Sequence, residues 1–277
     1  MIRLATFNIQ YGAPVPAEHA TAIVGVDRAG EQSARQLARD IAALEADVLG
    51  LQEVDRGKIR SGRVDQLRVI AERTGLTPLF AETRHKYGMA LLTRLPVMNA
   101  RVLELAGRTS PWIRDDSSSV GWRFKWPDKR ACLYALLDTP EGPLAVGVTH
   151  LSTVRPVARR QFQIAARGCE DFAPGVPAVL MGDLNLRINQ VEEEIPGTGF
   201  AILARGNASP SWAPIIQIDH ILGRGVTGRA NRVVQMPVSD HAAVVVEARI
   251  DAGVSKLQDA IQEPQTGVPK RKTDTPE

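Results

Sequence analysis

The sequence predicts an α/β fold built on two sheets with substantial antiparallel pairing. Short apolar runs of strand length recur along the chain. Amphipathic helical stretches follow the early strands and return after residue 155, while the middle holds successive hairpin-like strands. A simple doubly wound parallel sheet would alternate strand and helix throughout, and this chain does not. No linker-like segment divides residues 1–250, so one domain is expected there, followed by a disordered tail over 251–277.

Residues 3–9 read as a strand with Asn8 at its end. Residues 12–30 carry two prolines and three glycines and read as a loop. Over 31–45, Ala34, Leu37, Ala38, Ile41 and Leu44 share one helical face. Residues 47–54 form a buried strand ending in Gln52 and Glu53, and a basic loop follows with Arg56, Lys58, Arg60 and Arg63. The next helix spans 65–74, with Gly75 as its C-terminal cap. Strands are expected at 77–82, 89–93 and 97–105. Residues 107–129 are the longest irregular stretch, with Trp112, Trp122 and Trp126 among Arg114, Arg123, Lys125 and Lys129.

Strands resume at 130–137 and 143–149, the second followed by His150. Residues 156–172 read as a helix with Pro156 early and Ala158, Phe162, Ala165, Cys169 and Phe172 inward. The apolar run 177–180 is a strand that Gly182 is expected to break, after which Asp183 and Asn185 project the same way. Alone, this stretch reads equally as a turn, since Gly, Asp and Asn all form turns. The last strands are 216–222, containing Asp219, then 232–236 and 242–250, with Ser239-Asp240-His241 before the final one.

The chain has 277 residues, 44% of them hydrophobic and 23% charged, which suits a soluble globular protein with a sizeable core. The net charge of +3 is a mild bias towards anionic partners. From residue 252 on, four basic residues cancel four acidic ones, so the surplus belongs to the body. Cys132 and Cys169 match no metal spacing and are expected to be a reduced, buried pair. No apolar run approaches membrane-spanning length, and Met1 leads directly into strand-like sequence without a leader. The expectation is a cytoplasmic monomer without a transmembrane segment.

Polar residues close the apolar strands: Asn8, Glu53, His150, Asp183 with Asn185, Asp219, and Asp240 with His241. Each alone has an ordinary explanation, as an ion pair, a strand cap or a turn. Together they repeat carboxylate, amide and imidazole at one structural position, over a rigid scaffold that suits catalytic groups. Oxygen ligands from Asn8, Glu53 and Asp240 suit a hard divalent ion, Mg²⁺ or Mn²⁺. The histidines are too few and wrongly spaced for a strong zinc site. There is no nucleotide-triphosphatase phosphate loop and no nucleophile-elbow serine. Hydrolysis of a phosphoryl group by activated water is the chemistry that fits.

Several motifs in order carry a family resemblance: Thr6-Phe7-Asn8-Ile9, Leu51-Gln52-Glu53-Val54-Asp55, residues 87–96, Thr149-His150-Leu151, Gly182-Asp183-Leu184-Asn185, Ile218-Asp219-His220 and Ser239-Asp240-His241. Over residues 1–250 the chain resembles the endonuclease/exonuclease/phosphatase superfamily, with its deoxyribonuclease I-like fold. The resemblance implies a four-layer α/β/β/α sandwich with the site at one edge of two mixed, largely antiparallel sheets. It implies Asn8 and Glu53 at the metal, with Asp240 as a further metal or water contact. Asp183 would orient or deprotonate the attacking water, and Asn185 would hold the phosphate. His241, oriented by Asp219, would lie against the scissile phosphate. His150 would stabilise the transition state or assist the leaving group. Nucleases of the family pair that histidine with a glutamate; this sequence has no clear match, and Tyr87 is the candidate substitute.

The expected activity is a divalent-metal-dependent phosphodiesterase acting on nucleic acid. Arg56, Lys58, Arg60, Arg63 and Arg155 are candidate phosphate contacts, or else a solvated basic surface. The three tryptophans offer base stacking, a lipid contact or a covering loop. The alternatives are a phosphatase or phospholipase C-like enzyme on inositol phosphates or sphingomyelin, and a non-catalytic binding module. The last would be expected to lose some of Glu53, Asp183, Asn185 or His241, and all are present.

Overall fold

Two apolar faces along a single strand set the layering. In β1 (Ile2–Asn8), Ile2 and Leu4 enter one core while Ala5 and Phe7 enter another. That alternation is the period of extended chain with both faces buried. A computed structural model of the chain describes residues 1–15, 30–107 and 129–251, together with the backbone of 112–114 and 122–124.

The first six-stranded sheet runs β13 (Val226–Val234), β14 (Ala243–Ile250), β1, β2 (Val48–Asp55), β4 (Tyr87–Thr93), β3 (Thr77–Arg84). The second runs β11 (Ala201–Ile202), β12 (Asp219–Arg224), β10 (Ala178–Asp183), β9 (Gly142–His150), β8 (Arg130–Thr139), β5 (Val97–Leu105). Within them β1 with β2 and β9 with β10 are parallel pairs, and the other pairs are antiparallel. One core lies between the sheets and joins Leu4, Val48 and Val244 to Val148, Met181 and Ile221. A second core packs α1 (Glu31–Ala42) and α2 (Gln66–Thr74) on the first sheet. A third packs α3 (Arg155–Phe172) and α4 (Ile188–Glu194) on the second. The result is the expected α/β/β/α sandwich with two mixed sheets.

Local chemistry explains the helix limits. The Asp65 side chain caps α2 by accepting from the Arg68 N–H at 3.1 Å. Gly75, at φ 70°, closes its other end in the left-handed conformation. Pro156 sits in the first turn of α3, where no intrahelical donor is lost. Cys132 and Cys169 are buried and unlinked. Among the described residues no helix is long and apolar enough to cross a membrane.

Gly182 does not break its strand. It stays inside β10, paired with Thr149 on one side and His220 on the other, and the ladder continues through Asp183. It has φ 141°, and a Cβ there would lie 1.9 Å from the Thr149 carbonyl oxygen. The glycine therefore lets the chain pass close to β9 instead of stopping it. α4 and β11 were not expected; the one is seven residues with a single buried apolar side chain, and the other is two residues. Within the tryptophan stretch, β6 (Trp112–Arg114) and β7 (Trp122–Phe124) pair antiparallel. The other expectations for 108–128, including Trp126, lie outside the described residues, as do 16–29 and the tail from 252.

Gly182→Ala should cost more than about 3 kcal/mol, because neither the dihedral nor the β9 backbone can accept a methyl group. Thermal unfolding monitored by circular dichroism checks this; a melting temperature equal to wild type would refute the close-approach argument.

Candidate active site

The core between the sheets turns polar at one end. Along β10, Val179 and Met181 face that core, so Asp183 faces it too. The same alternation carries Val146 and Val148 to His150 on β9, Leu4 to Asn8 on β1, and Ile221 to Asp219 on β12. His241 and Asp240 sit just before β14. The ends are the C-terminal ones of the parallel strands and the N-terminal ones of β12 and β14. A cleft of about 450 Å³ opens there, and Asn8, Glu53, His150, Asp183, Asn185, Asp240 and His241 all line it. Asp219 lies behind it, fully buried.

Glu53 reaches the cleft by an irregularity. On the face of β2 that carries Val48, Gln52 points between the sheets and exchanges hydrogen bonds with Thr6. Strict alternation would send Glu53 to the helix side. The ladder with β4 slips between Leu51 and Val54, and Glu53 adopts φ 59°. This bulge re-aims the carboxylate, as bulges near functional sites do. The side-chain amide of Asn8 then donates to Glu53 Oε1 at 3.2 Å and to Asp183 Oδ2 at 3.1 Å. The Gln10 N–H donates to Asn8 Oδ1 at 3.0 Å, which sets the orientation of the amide. The Tyr87 hydroxyl also engages Glu53, and burial with that negative neighbour raises its pKa, keeping it a donor.

Asp183 is the hub. It is 2% exposed. Its Oδ1 accepts the Asn185 N–H at 2.9 Å. Its Oδ2 faces His150 Nε2 at 3.4 Å and His241 Nε2 at 3.9 Å, in addition to Asn8. Burial pushes the carboxyl up to about 7 and Asp219 adds to the rise, against the pull of His241 and the two amide donors. Asn185, at φ 50°, turns its side chain back so that Nδ2 donates to the Leu151 carbonyl at 3.1 Å. Asparagine tolerates that left-handed backbone better than most residues.

His241 is held from behind. Its Nδ1–H donates to Asp219 Oδ2 at 2.7 Å, which leaves Nε2 towards the cleft, 3.9 Å from both Asp183 and Asp240. Burial disfavours its charged form, but Asp219, Asp183 and Asp240 together outweigh burial and raise the imidazole to about 10. His220, next to Asp219, faces away. Its ring lies between Gln217 and the Leu186 carbonyl, and burial lowers its pKa, so it is a neutral packing residue.

The basic candidates divide. Lys58 and Arg60 line the cleft. Arg60 forks onto the buried Asp55 at 2.8 and 2.9 Å and covers the Tyr11 ring at 3.9 Å. Arg56 pairs with Asp65 and lies over Phe80, away from the lining. Arg63 and Arg155 are exposed and also lie outside the lining. Gln10, Arg84, Thr153 and Ser209 line the cleft without having been singled out, and Lys129 lines it from the end of the tryptophan stretch. Gln10 carried a readable signal, since it stands two residues beyond Asn8; its Oε1 accepts the Asp240 N–H at 3.3 Å.

The donor set fits Mg²⁺ or Mn²⁺. Among the described residues no cluster of three or more His, Cys, Asp or Glu forms a ready metal cage. One NH₂ group, that of Asn8, stands where the Glu53 and Asp183 carboxylates converge. A few oxygen donors beside an open cleft suit a hard cation that keeps much of its water. Asp240, with its side chain 40% exposed, supplies a further carboxylate at the rim.

A model of the endonuclease/exonuclease/phosphatase family matches residues 5–241. No curated protein shows a sequence match to the chain. Among solved structures, a functionally unknown conserved protein from Enterococcus faecalis V583 is 18% identical, with TM-score 0.66 over 90% of this chain and 100% of that one. A mannosyl-6-phosphatase of Bacteroides thetaiotaomicron VPI-5482 is 16% identical, with TM-score 0.64 over 90% and 100%. A humanized D. rerio TDP2 with 14 mutations is 14% identical, with TM-score 0.61 over 90% and 98%. At these identities the likeness is one of fold.

The His241 shift has a signed consequence. The imidazole rises from 6.5 to about 10 on folding. Its contribution to stability is complete below pH 6.5, declines between the two values and is gone above about 10. In metal-free buffer the stability gap between wild type and Asp219→Asn should therefore be widest near pH 6 and narrow steadily towards pH 10, as read by urea midpoints. A gap that widens with pH would contradict the charged His241–Asp219 pair.

Proposed function

Since the chain belongs to the endonuclease/exonuclease/phosphatase family, whose members hydrolyse phosphoesters, we propose that it is a divalent-metal-dependent phosphodiesterase acting on nucleic acid. The observation that carries this is the surrounding of Asp183: one buried carboxylate faced by two imidazoles and the Asn8 amide, beside Glu53, at the mouth of a polar cleft.

Asp183 takes a proton from a water molecule as the water oxygen attacks phosphorus in line with the departing oxygen. A carboxyl raised towards neutrality is a better base for this than an ordinary aspartate. His241 stays imidazolium at neutral pH, so its Nε2–H donates to a non-bridging phosphate oxygen as charge builds there. Asp219 holds that ring in place. Asn185 uses the amide hydrogen not given to Leu151 to hold the phosphate. His150, on the other side of Asp183, steadies the transition state or the leaving oxygen. Glu53, Asn8 and Asp240 would hold the divalent ion, which when bound supplies Lewis-acid polarisation of a phosphate oxygen. Lys58, Lys129 and Arg130 place positive charge around the cleft, as a phosphate backbone requires.

Glu53→Ala and Asp183→Ala should each lower kcat for bis(p-nitrophenyl) phosphate by about 10³-fold or more with the far-ultraviolet spectrum unchanged. EDTA should abolish turnover, and Mg²⁺ or Mn²⁺ restore it. Full activity in either variant would refute the mechanism. A panel of single- and double-stranded DNA, RNA, sphingomyelin and inositol phosphates tests the substrate; turnover of only the lipid or the inositol phosphate would overturn the nucleic-acid reading.

A further inference from the structure

We propose that a trough beyond the catalytic cleft is a subsite for a second phosphate of the same nucleic-acid strand, with Arg84 as its specificity-determining residue. The proposal rests on the phosphodiesterase reading above and adds to it where the substrate's neighbouring phosphate sits.

A cavity of about 550 Å³ lies next to the cleft. The two share the lining residues Thr83, Arg84, Lys129 and Arg130, so they adjoin there, and together they make the trough. It leaves the catalytic end between the tip of the β3–β4 hairpin and the start of β8. Among the described residues β3 and β5 are the end strands of the two sheets, and the trough runs out along them.

Charge is graded along it. Among the described residues every charged side chain in the shared neck is cationic: Arg84, Lys129 and Arg130. The carboxylates Glu82 and Glu104, with His85, line only the outer cavity. An anionic group next to the scissile phosphate meets three positive charges, and one placed further out meets two carboxylates. That gradient suits a single flanking phosphate.

The backbone aims Arg84 there. Along β3, Ala81 faces the core between the sheets, so alternation puts Thr83 towards the trough and Arg84 away. The ladder with β4 slips between Glu82 and Arg84, and both Thr83 and Arg84 then line the trough. The turn is tied by the Lys86 N–H donating to Glu82 Oε2 at 3.2 Å, with Lys86 at φ 56°. A guanidinium carries five donors in a fork, so Arg84 can engage a phosphate while another edge is occupied by protein.

The test compares a single-stranded DNA octamer with bis(p-nitrophenyl) phosphate, which has no second phosphate, using the full chain with Mg²⁺. Arg84→Ala should lower the ratio of kcat/KM for the octamer over the small diester about tenfold, through KM. It should also reduce the slope of log(kcat/KM) against log salt by about 0.7, the loss of one single-strand phosphate contact. Arg84→Lys, which keeps the charge and is a gentler change to the hairpin, should retain most of that slope. An unchanged ratio and slope in Arg84→Ala, with wild type turning over both substrates, would overturn the subsite and leave the phosphodiesterase reading standing. If wild type turns over neither substrate, the underlying reading falls and the subsite with it.

Discussion

A carboxylate buried at the end of a hydrophobic core is the constraint on which the rest of this structure depends. An ionised Asp183 with no partners would cost several kcal/mol in desolvation alone. It persists because polar groups from four separate segments converge on it: the Asn8 amide from β1 and the Asn185 N–H after β10 donate to it, and the imidazoles of His150 from β9 and His241 before β14 face it. Two of those segments belong to the first sheet and two to the second. The polar cluster therefore ties the sheets together where the apolar core between them stops.

The same requirement explains the backbone irregularities. Both sheets offer alternating faces, and a regular ladder would point only every second residue into the site. Glu53 reaches it through a bulge, Asn185 and Gln10 adopt positive φ, and Gly182 brings β10 against the Thr149 carbonyl. The non-glycine departures are each locally unfavourable by an amount on the order of 1–3 kcal/mol and survive where surrounding packing over-determines them. Their crowding at one end of the sandwich is an independent sign that this end is used for chemistry.

Electrostatics then separates roles among similar groups. Asp219 and Asp183 are both buried aspartates near His241. Asp219 directly accepts the Nδ1–H and acts as the orienting partner. Asp183 faces Nε2 at longer range, beside the cleft, with its carboxyl raised towards neutrality. The division between base and orienter follows from position around one imidazole ring, since residue type is the same.

Much of this was legible in the sequence. Apolar runs with period two or 3.6 marked most of the described strands and three of the four described α-helices, because burial on regular structure leaves that imprint. The polar residues that close those runs were visible as a set, and so was the family they resemble. Tertiary structure alone decided which basic residues face the cleft. Arg56 is turned away onto Asp65, Arg60 lines the cleft while held by the buried Asp55, and Arg84 lines it from a different hairpin. It also decided how Glu53, which strict alternation would send to the helix side, comes to face the cleft, and that Gly182 continues its strand. The physical reason is the same in each case. Periodicity records which face of a regular element is buried, whereas bulges, positive φ values and the polar contacts that join residues 5 to 175 positions apart depend on neighbours that only the folded chain supplies.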